Sequence, residues 1–223
     1  MEFNYYPKIN TIYKRDLEHA TKKGAPLIVG EYSTPEFEYL KDLKWRAEEK
    51  IDGTNVGVHY DGYEVVFTGH KEKSKLPDHL VKKLTNIFSM EVLKEITANA
   101  HDCTISFYGE GIGQKIQDQG SRYMSKDVDF ILFDVRVGKW WLEREAVESI
   151  AKQLNVRCAP VIGEFTFDEA IAYVKKGFKS LIAEDKTLQA EGLVLKSPLG
   201  LLDRSGQRLV TKIKVKDFKN LEI

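Results

Sequence analysis

Hydrophobic and polar positions change rhythm several times along the chain, and each rhythm predicts an element. From Trp45 the pattern turns strand-like. Val56-Gly57-Val58-His59-Tyr60 and Tyr63-Glu64-Val65-Val66-Phe67 flank Asp61-Gly62, a two-residue signal for a tight hairpin. Between Asp78 and Ala100 the residues Leu80, Leu84, Ile87, Phe88, Val92, Leu93 and Ile96 recur at helical spacing, with Pro77 and an Asp78 N-cap at the start. Ile105-Ser106-Phe107-Tyr108 and Phe130-Ile131-Leu132-Phe133 are short apolar runs of the kind that form buried strands. Helical spacing returns over Glu143–Leu154 and Phe167–Lys176, the second closed by Gly177. The last strands are expected at Gly192–Lys196 and Arg208–Val215. Residues 1–43 read as an irregular lead-in with one polar helix, Lys14 to Lys23, stopped by Gly24 and Pro26. Strands at both ends with helices between predict an α+β fold of antiparallel sheet with flanking helices.

Composition narrows the classes. The 223 residues are 42% hydrophobic and 30% charged, ordinary for a soluble globular chain and ample for a core. With no repeat or evident linker, a single domain over 1–223 is expected. Lys plus Arg equals Asp plus Glu at 34 each, which argues against a nucleic-acid coat or a polybasic membrane binder but permits a local basic groove. Cys103 and Cys158 have no metal-ligand spacing and read as reduced, buried thiols. Met1 to Asp16 lacks the apolar core of a signal peptide, and no apolar run nears the ~18 residues of a membrane span. The expectation is a cytoplasmic chain with no membrane partner.

Five stretches place unusual polar residues inside apolar strand patterns. They are Glu49-Lys50-Ile51-Asp52-Gly53, Tyr108-Gly109-Glu110-Gly111, Phe130-Ile131-Leu132-Phe133-Asp134, Glu191-Gly192-Leu193-Val194-Leu195-Lys196 and Lys212-Ile213-Lys214-Val215-Lys216. In the last, alternation puts Lys212, Lys214 and Lys216 on one strand face and Ile213 and Val215 on the other. A strand face lined by lysines is either a solvated edge or a phosphate cradle. Lys-x-Asp-Gly by itself is weak, since Asp-Gly is a common turn.

In this order, the five stretches resemble the nucleotidyl motifs of the covalent nucleotidyltransferases, the superfamily of polynucleotide ligases and mRNA capping enzymes. Lys50-Ile51-Asp52-Gly53-Thr54-Asn55 and Tyr108-Gly109-Glu110-Gly111-Ile112-Gly113-Gln114-Lys115-Ile116-Gln117 resemble in particular the ATP-dependent RNA ligases of the type 2 phage and trypanosome-editing family. DNA ligases usually carry an arginine soon after the Asp-Gly, where this chain has Thr54-Asn55. The similarity runs from about Trp45 to Phe218 and implies an ATP-grasp-like nucleotidyltransferase (adenylylation) domain.

The resemblance implies the following roles. Lys50 is the nucleophile, attacking the α-phosphorus of ATP to give lysyl-AMP, which needs a site that favours the neutral amine. Glu191 steers a divalent cation, Mg²⁺ or Mn²⁺, with Asp134 beside it as polar support. Lys196, Lys212 and Lys214 grip the phosphates as charge builds on them. Glu110 takes the ribose hydroxyls and Glu49 the adenine edge, since carboxylates accept from hydroxyl and amino donors. Phe133 stacks on the purine, with core packing as its alternative. Ile51 and Asn55 complete the nucleotide contacts, and Asn55 matches a position used near the nucleic-acid ends, with a turn-ending asparagine as the alternative. Lys216 continues the lysine face but lies outside the usual pair.

Two departures stand out. The family's arginine after the first hairpin is here His70, with Lys71 beside it, and a neutral imidazole offers no bidentate fork. The sequence given also ends five residues after Phe218, so neither the oligonucleotide-binding (OB) barrel of DNA ligases nor the helical domain of type 2 RNA ligases is expected. The function implied is joining of RNA 5′-phosphate and 3′-hydroxyl ends, in single strands or a nicked duplex, with an accessory protein or an oligomer supplying the nucleic-acid surface. The alternatives are a DNA or mixed-nick ligase, a GTP-using capping transferase, and a non-catalytic module that binds nucleic-acid ends.

Overall fold

The computed structural model describes residues 3–22, 24–98 and 103–218. The chain forms two compact units, each assembled from pieces distant in sequence. The first takes Asp52–Ala159, Ile182–Asp185 and the residues up to Pro7. Its sheet runs in the order Arg157–Cys158, Val128–Val137, Ile105–Gly113, Thr54–Tyr60 and Val65–Thr68, with Trp140–Trp141 added beside Val128–Val137. All pairings are antiparallel except that of Arg157–Cys158 with Val128–Val137.

Alternation sorts the residues of this sheet between its faces. Val56, Val58, Phe107, Phe130, Leu132 and Val135 join one buried cluster with Leu80, Leu84, Leu93, Val147 and Ala151 from the helices Asp78–Ile87, Met90–Ile96 and Arg144–Gln153. Asn55, His59, Tyr108, Glu110 and Asp134 belong to the other face; Asn55 pairs across with Glu110, and Tyr108 with Asp134. Gly109 explains the glycine before Glu110: a Cβ there would come within 2.3 Å of the Phe130 ring. Just here the register slips, because Tyr108 faces Asp134 and Gly109 faces Leu132. Phe133 is the extra residue of the resulting bulge, a device that re-aims a side chain.

The second unit takes Lys8–Ile51, Pro160–Leu181 and the residues from Lys186 onward. Its sheet runs Asn10–Thr11, Val210–Lys214, Gly192–Lys196, Trp45–Lys50 and Val161–Phe165, antiparallel apart from the parallel pair Asn10–Thr11 with Val210–Lys214. A core of Ile12, Phe37, Trp45, Phe167, Val174, Leu193, Leu195 and Ile213 packs the helix Phe167–Lys176 against it. That helix starts on a capping box of Thr166 and Glu169.

Five expectations need correction. Instead of a helix over 14–23 the chain forms the strand Tyr13–Arg15 and turns, because Tyr13 enters the core and Arg15 is held by the Ala25 carbonyl and Asp217; Lys23 lies outside the described residues. The single helix over 78–100 is two, broken after Ile87: the Ser89 side chain accepts from Val92 N and starts the second, and Pro77 rather than Asp78 is the first N-cap. The stretch 99–100 lies outside the described residues. The hairpin loop has four residues, since Tyr60 pairs with Val65 and Asp61 accepts from the amides of Tyr63 and Glu64. Lys216 leaves the lysine face because the strand stops at Lys214 and Val215–Phe218 turns helical. Neither thiol is buried; Cys103 is exposed and Cys158 half-buried.

Candidate functional site

In the second unit, three neighbouring strands present one face built mostly from charge. The strand Trp45–Lys50 contributes Arg46, Glu48 and Lys50; in register beside them on the middle strand lie Lys196, Val194 and Gly192, and beyond these Lys212 and Lys214. Gly192 is the cross-strand partner of both Lys50 and Lys214, so the position between these two lysines on the middle strand carries no side chain of its own. A Cβ at Gly192 would meet the Ile213 carbonyl oxygen at 2.0 Å. Glu191, one residue earlier, places Oε2 2.5 Å from Lys50 Nζ and Oε1 2.6 Å from Lys214 Nζ. Burial alone would push the Glu191 carboxyl up, but the two ammoniums outweigh it and hold it below the usual carboxylate value.

Lys212 lies next along the same face, two residues before Lys214. Burial first, then the charges of Lys214, Lys50 and Arg15, push it down to about 8, against the pull of Glu191. Lys196 is buried on Glu48, with Nζ 2.8 Å from Oε2, and Arg46 Nε lies 3.1 Å from the other oxygen of that carboxylate. Sequence reasoning missed Glu48, although Arg46, Glu48 and Lys50 show the same period-two signal that singled out Lys212 and Lys214.

Glu49 alternates to the face opposite Lys50. It is 1% exposed, and its oxygens accept from the Ser180 hydroxyl at 2.5 Å and the Leu181 amide at 2.8 Å. Burial raises its pKa despite both hydrogen bonds. Ile51 is buried at the end of the strand.

The remaining candidates lie in the first unit. Asn55 and Glu110 are cross-strand partners on the face away from the apolar core, both half-buried. Phe133, at the bulge, is half-buried, and Asp134 is buried and accepts from the Tyr6 hydroxyl at 2.6 Å. His59 on this face is enclosed by the hydroxyls of Ser106 and Thr68 at 2.8 and 2.9 Å, and burial lowers its pKa to about 4. His70 and Lys71 are exposed. The sequence singled out Phe133 and Asp134 but gave no sign of Tyr6, which lies far upstream in the polar lead-in.

Among the described residues, no group of three or more His, Cys, Asp or Glu is placed to hold a metal ion. A single carboxylate such as Glu191 suits a cation that keeps water and phosphate ligands, as Mg²⁺ commonly does. Among the described residues, no helix is long and apolar enough to cross a membrane.

Residues 43–215 match the model of the RNA ligase family. The chain belongs to that family. No curated protein sequence matches this RNA ligase family member. Among solved structures it is similar to a Naegleria gruberi RNA ligase mutant with AMP and Mn, at 22% identity and TM-score 0.61 over 84% of this chain and 55% of that one. Another mutant of that ligase, with ATP and Mn, matches at 19% identity and TM-score 0.62 over 99% and 64%. The same ligase with PPi matches at 21% identity and TM-score 0.58 over 95% and 62%. The shared fold is the α+β, mostly antiparallel fold of the RNA ligase nucleotidyltransferases, and the chain spans 55 to 64% of the length of these structures.

Proposed function

We propose that this chain is the adenylylating part of an ATP-dependent RNA ligase. Lys50 Nζ, as the neutral amine, attacks the α-phosphorus of ATP. An N–P bond forms, the α–β phosphoanhydride P–O bond breaks, pyrophosphate leaves and the amine sheds a proton to solvent. An oxygen of an RNA 5′-phosphate then takes AMP from Lys50, and a 3′-hydroxyl displaces AMP to seal the ends. The observation that carries this reading is the Lys50–Glu191–Lys214 arrangement, one carboxylate between two ammoniums on a lysine-lined sheet face. Glu191 orients the Lys50 head group, while Lys212 and Lys214 offer positive charge to the phosphates. Lys196 joins them on leaving Glu48.

A divalent cation bound at Glu191 supplies neutralisation of phosphate charge. Asp134 is the other carboxylate proposed for it. Glu110 takes the ribose hydroxyls and Phe133 the purine face, with Asn55, Ile51 and Glu49 as the remaining nucleotide contacts. The similar Naegleria gruberi ligase, seen with ATP, with AMP and with PPi, supports the first step, since these are its substrate, transferred group and leaving group.

The test is incubation with α-labelled ATP and a divalent cation. Label is expected on the wild-type chain and reduced at least about 10³-fold in Lys50→Ala, the scale on which losing a nucleophile acts. Unlabelled wild type, or equal label on the variant, overturns the proposal. Sealing assays on RNA, DNA and mixed nicks then define the acceptor.

A further inference from the structure

The loop 114–119 follows the strand Ile105–Gly113 of the first unit and holds two left-handed residues that are not glycine. Lys115 has φ 61° and Gln117 φ 53°, and both side chains are exposed. Between them Ile116, 2% exposed, is sunk into the apolar core. The base of the loop is tied down. Gln114 N donates to the Asp127 carbonyl at 3.0 Å and Ile116 N to that of Gly113 at 3.1 Å. From the helix Asp78–Ile87, His79 Nε2 lies 3.0 Å from the Gln114 carbonyl oxygen and Lys83 Nζ 3.2 Å from the Asp127 carboxylate. Lys82, on the same side of that helix three residues after His79, is exposed.

Left-handed backbone crowds Cβ against the following carbonyl oxygen, a strain that glycine escapes. The chain uses glycine beside this loop where space demands it: a Cβ at Gly120 would collide with the Gly113 carbonyl oxygen. At 115 and 117 packing demands nothing, since both side chains point into solvent, yet the strain is kept. Strain of this kind collects at ligand clamps. The loop holds out polar groups in a fixed frame. Among the described residues Lys115 makes no ion pair or side-chain hydrogen bond, and neither do the side-chain amides of Gln114 and Gln117. An ammonium and carboxamides suit the phosphate and sugar oxygens of a nucleic-acid backbone. Asp118, the one acid among residues 114–119, can accept from a ribose 2′-hydroxyl.

We propose that the loop 114–119 is a contact for the RNA strand to be joined, with Lys115 on a phosphate and Gln117 on the adjoining backbone oxygens. The assignment rests on the RNA ligase reading above. Its test measures binding of a labelled, 5′-phosphorylated single-stranded RNA over a range of salt, together with labelling by α-labelled ATP. The proteins are wild type, the double variant Lys115→Gly with Gln117→Gly, and Lys115→Arg. Glycine relieves both backbone sites, so the melting temperature of the double variant should not fall. Its RNA affinity should drop about tenfold, the scale of one charge-assisted hydrogen bond. The slope of log affinity against log salt should shrink by about 0.7, the share of one phosphate on a single strand. Labelling by ATP should stay within about twofold, because neither residue takes part in that step. Lys115→Arg keeps the charge and should keep the affinity and the slope. If the double variant melts lower, Lys115→Gln carries the same affinity and salt test. Unchanged RNA affinity overturns the proposal, as does a wild type that binds no RNA. Equal loss of RNA binding and of labelling means that the loop only supports the fold, and overturns it too. Wild type that takes no label overturns the ligase reading instead, while the RNA affinities still decide the loop.

Discussion

The second unit gathers Lys50, Glu191, Lys214, Lys212, Lys196 and Glu48 on one sheet face, where nearly every contact is between charges. The first unit gathers Tyr6, Tyr108, Phe133, Trp141 and His59, where the contacts are between rings and hydroxyls. Both sheets lay an apolar face on their own core and carry these polar and aromatic groups on the other. The contrast sorts the two faces by the chemistry each can do: rows of cations suit phosphate groups, and aromatic rings suit flat apolar surfaces. Neither face needs the skills of the other, so damage to each should show in a different measurement.

The largest effect should come from the charged face. Glu191→Gln removes the neutraliser between Lys50 and Lys214, and adenylylation is expected to fall about 10²–10³-fold at saturating ATP. A variant that labels at the wild-type rate would break the comparison. Next comes the aromatic face. Phe133→Ala should weaken ATP binding by about 1–3 kcal/mol while leaving the saturated rate nearly unchanged. A fall in rate without a fall in affinity would put Phe133 on the wrong side of the contrast. The smallest effect is a pH dependence confined to the charged face. Lys212 carries its proton below a pH of about 8 and loses it above, so ATP affinity should decline severalfold as the pH rises through that value. Lys212→Arg should flatten the decline, since arginine keeps its charge; an identical pH profile would remove Lys212 from the phosphate contacts.

Much of this was legible in the sequence because it obeys periods. The strand Gly192–Lys196 and the helix Phe167–Lys176 fall on their expected bounds, and the pairing of Lys212 with Lys214 followed from alternation alone. What escaped depended on partners distant in the chain. The segment 14–23 is polar enough for a surface helix, yet Tyr13 belongs to a core that includes Phe218, and only the fold brings the two together. Phe88 fits the helical stripe that runs from Leu80 to Ile96, so nothing in the hydrophobic pattern announced a break beside it. The ion pair of Glu48 with Lys196 needed the register between two strands, which spacing within one strand cannot give. Tyr6 was hidden for a related reason, since its partners Phe133 and Asp134 sit at a bulge that only strand pairing reveals.

The strand order of the second unit also constrains how the chain comes to be folded. Trp45–Lys50 lies between Gly192–Lys196 and Val161–Phe165, and Asn10–Thr11 pairs with Val210–Lys214. During synthesis those early strands have no native neighbours until the ribosome has passed residue 161 and then residues 192 to 214. The longest stretch of the first unit, by contrast, is in hand by residue 159. Long-range pairing of this sort is slow, and waiting strands are prone to wrong partners. The nascent chain therefore has most of the Phe133 and Asp134 sheet in hand well before Lys50 has strand neighbours on both sides.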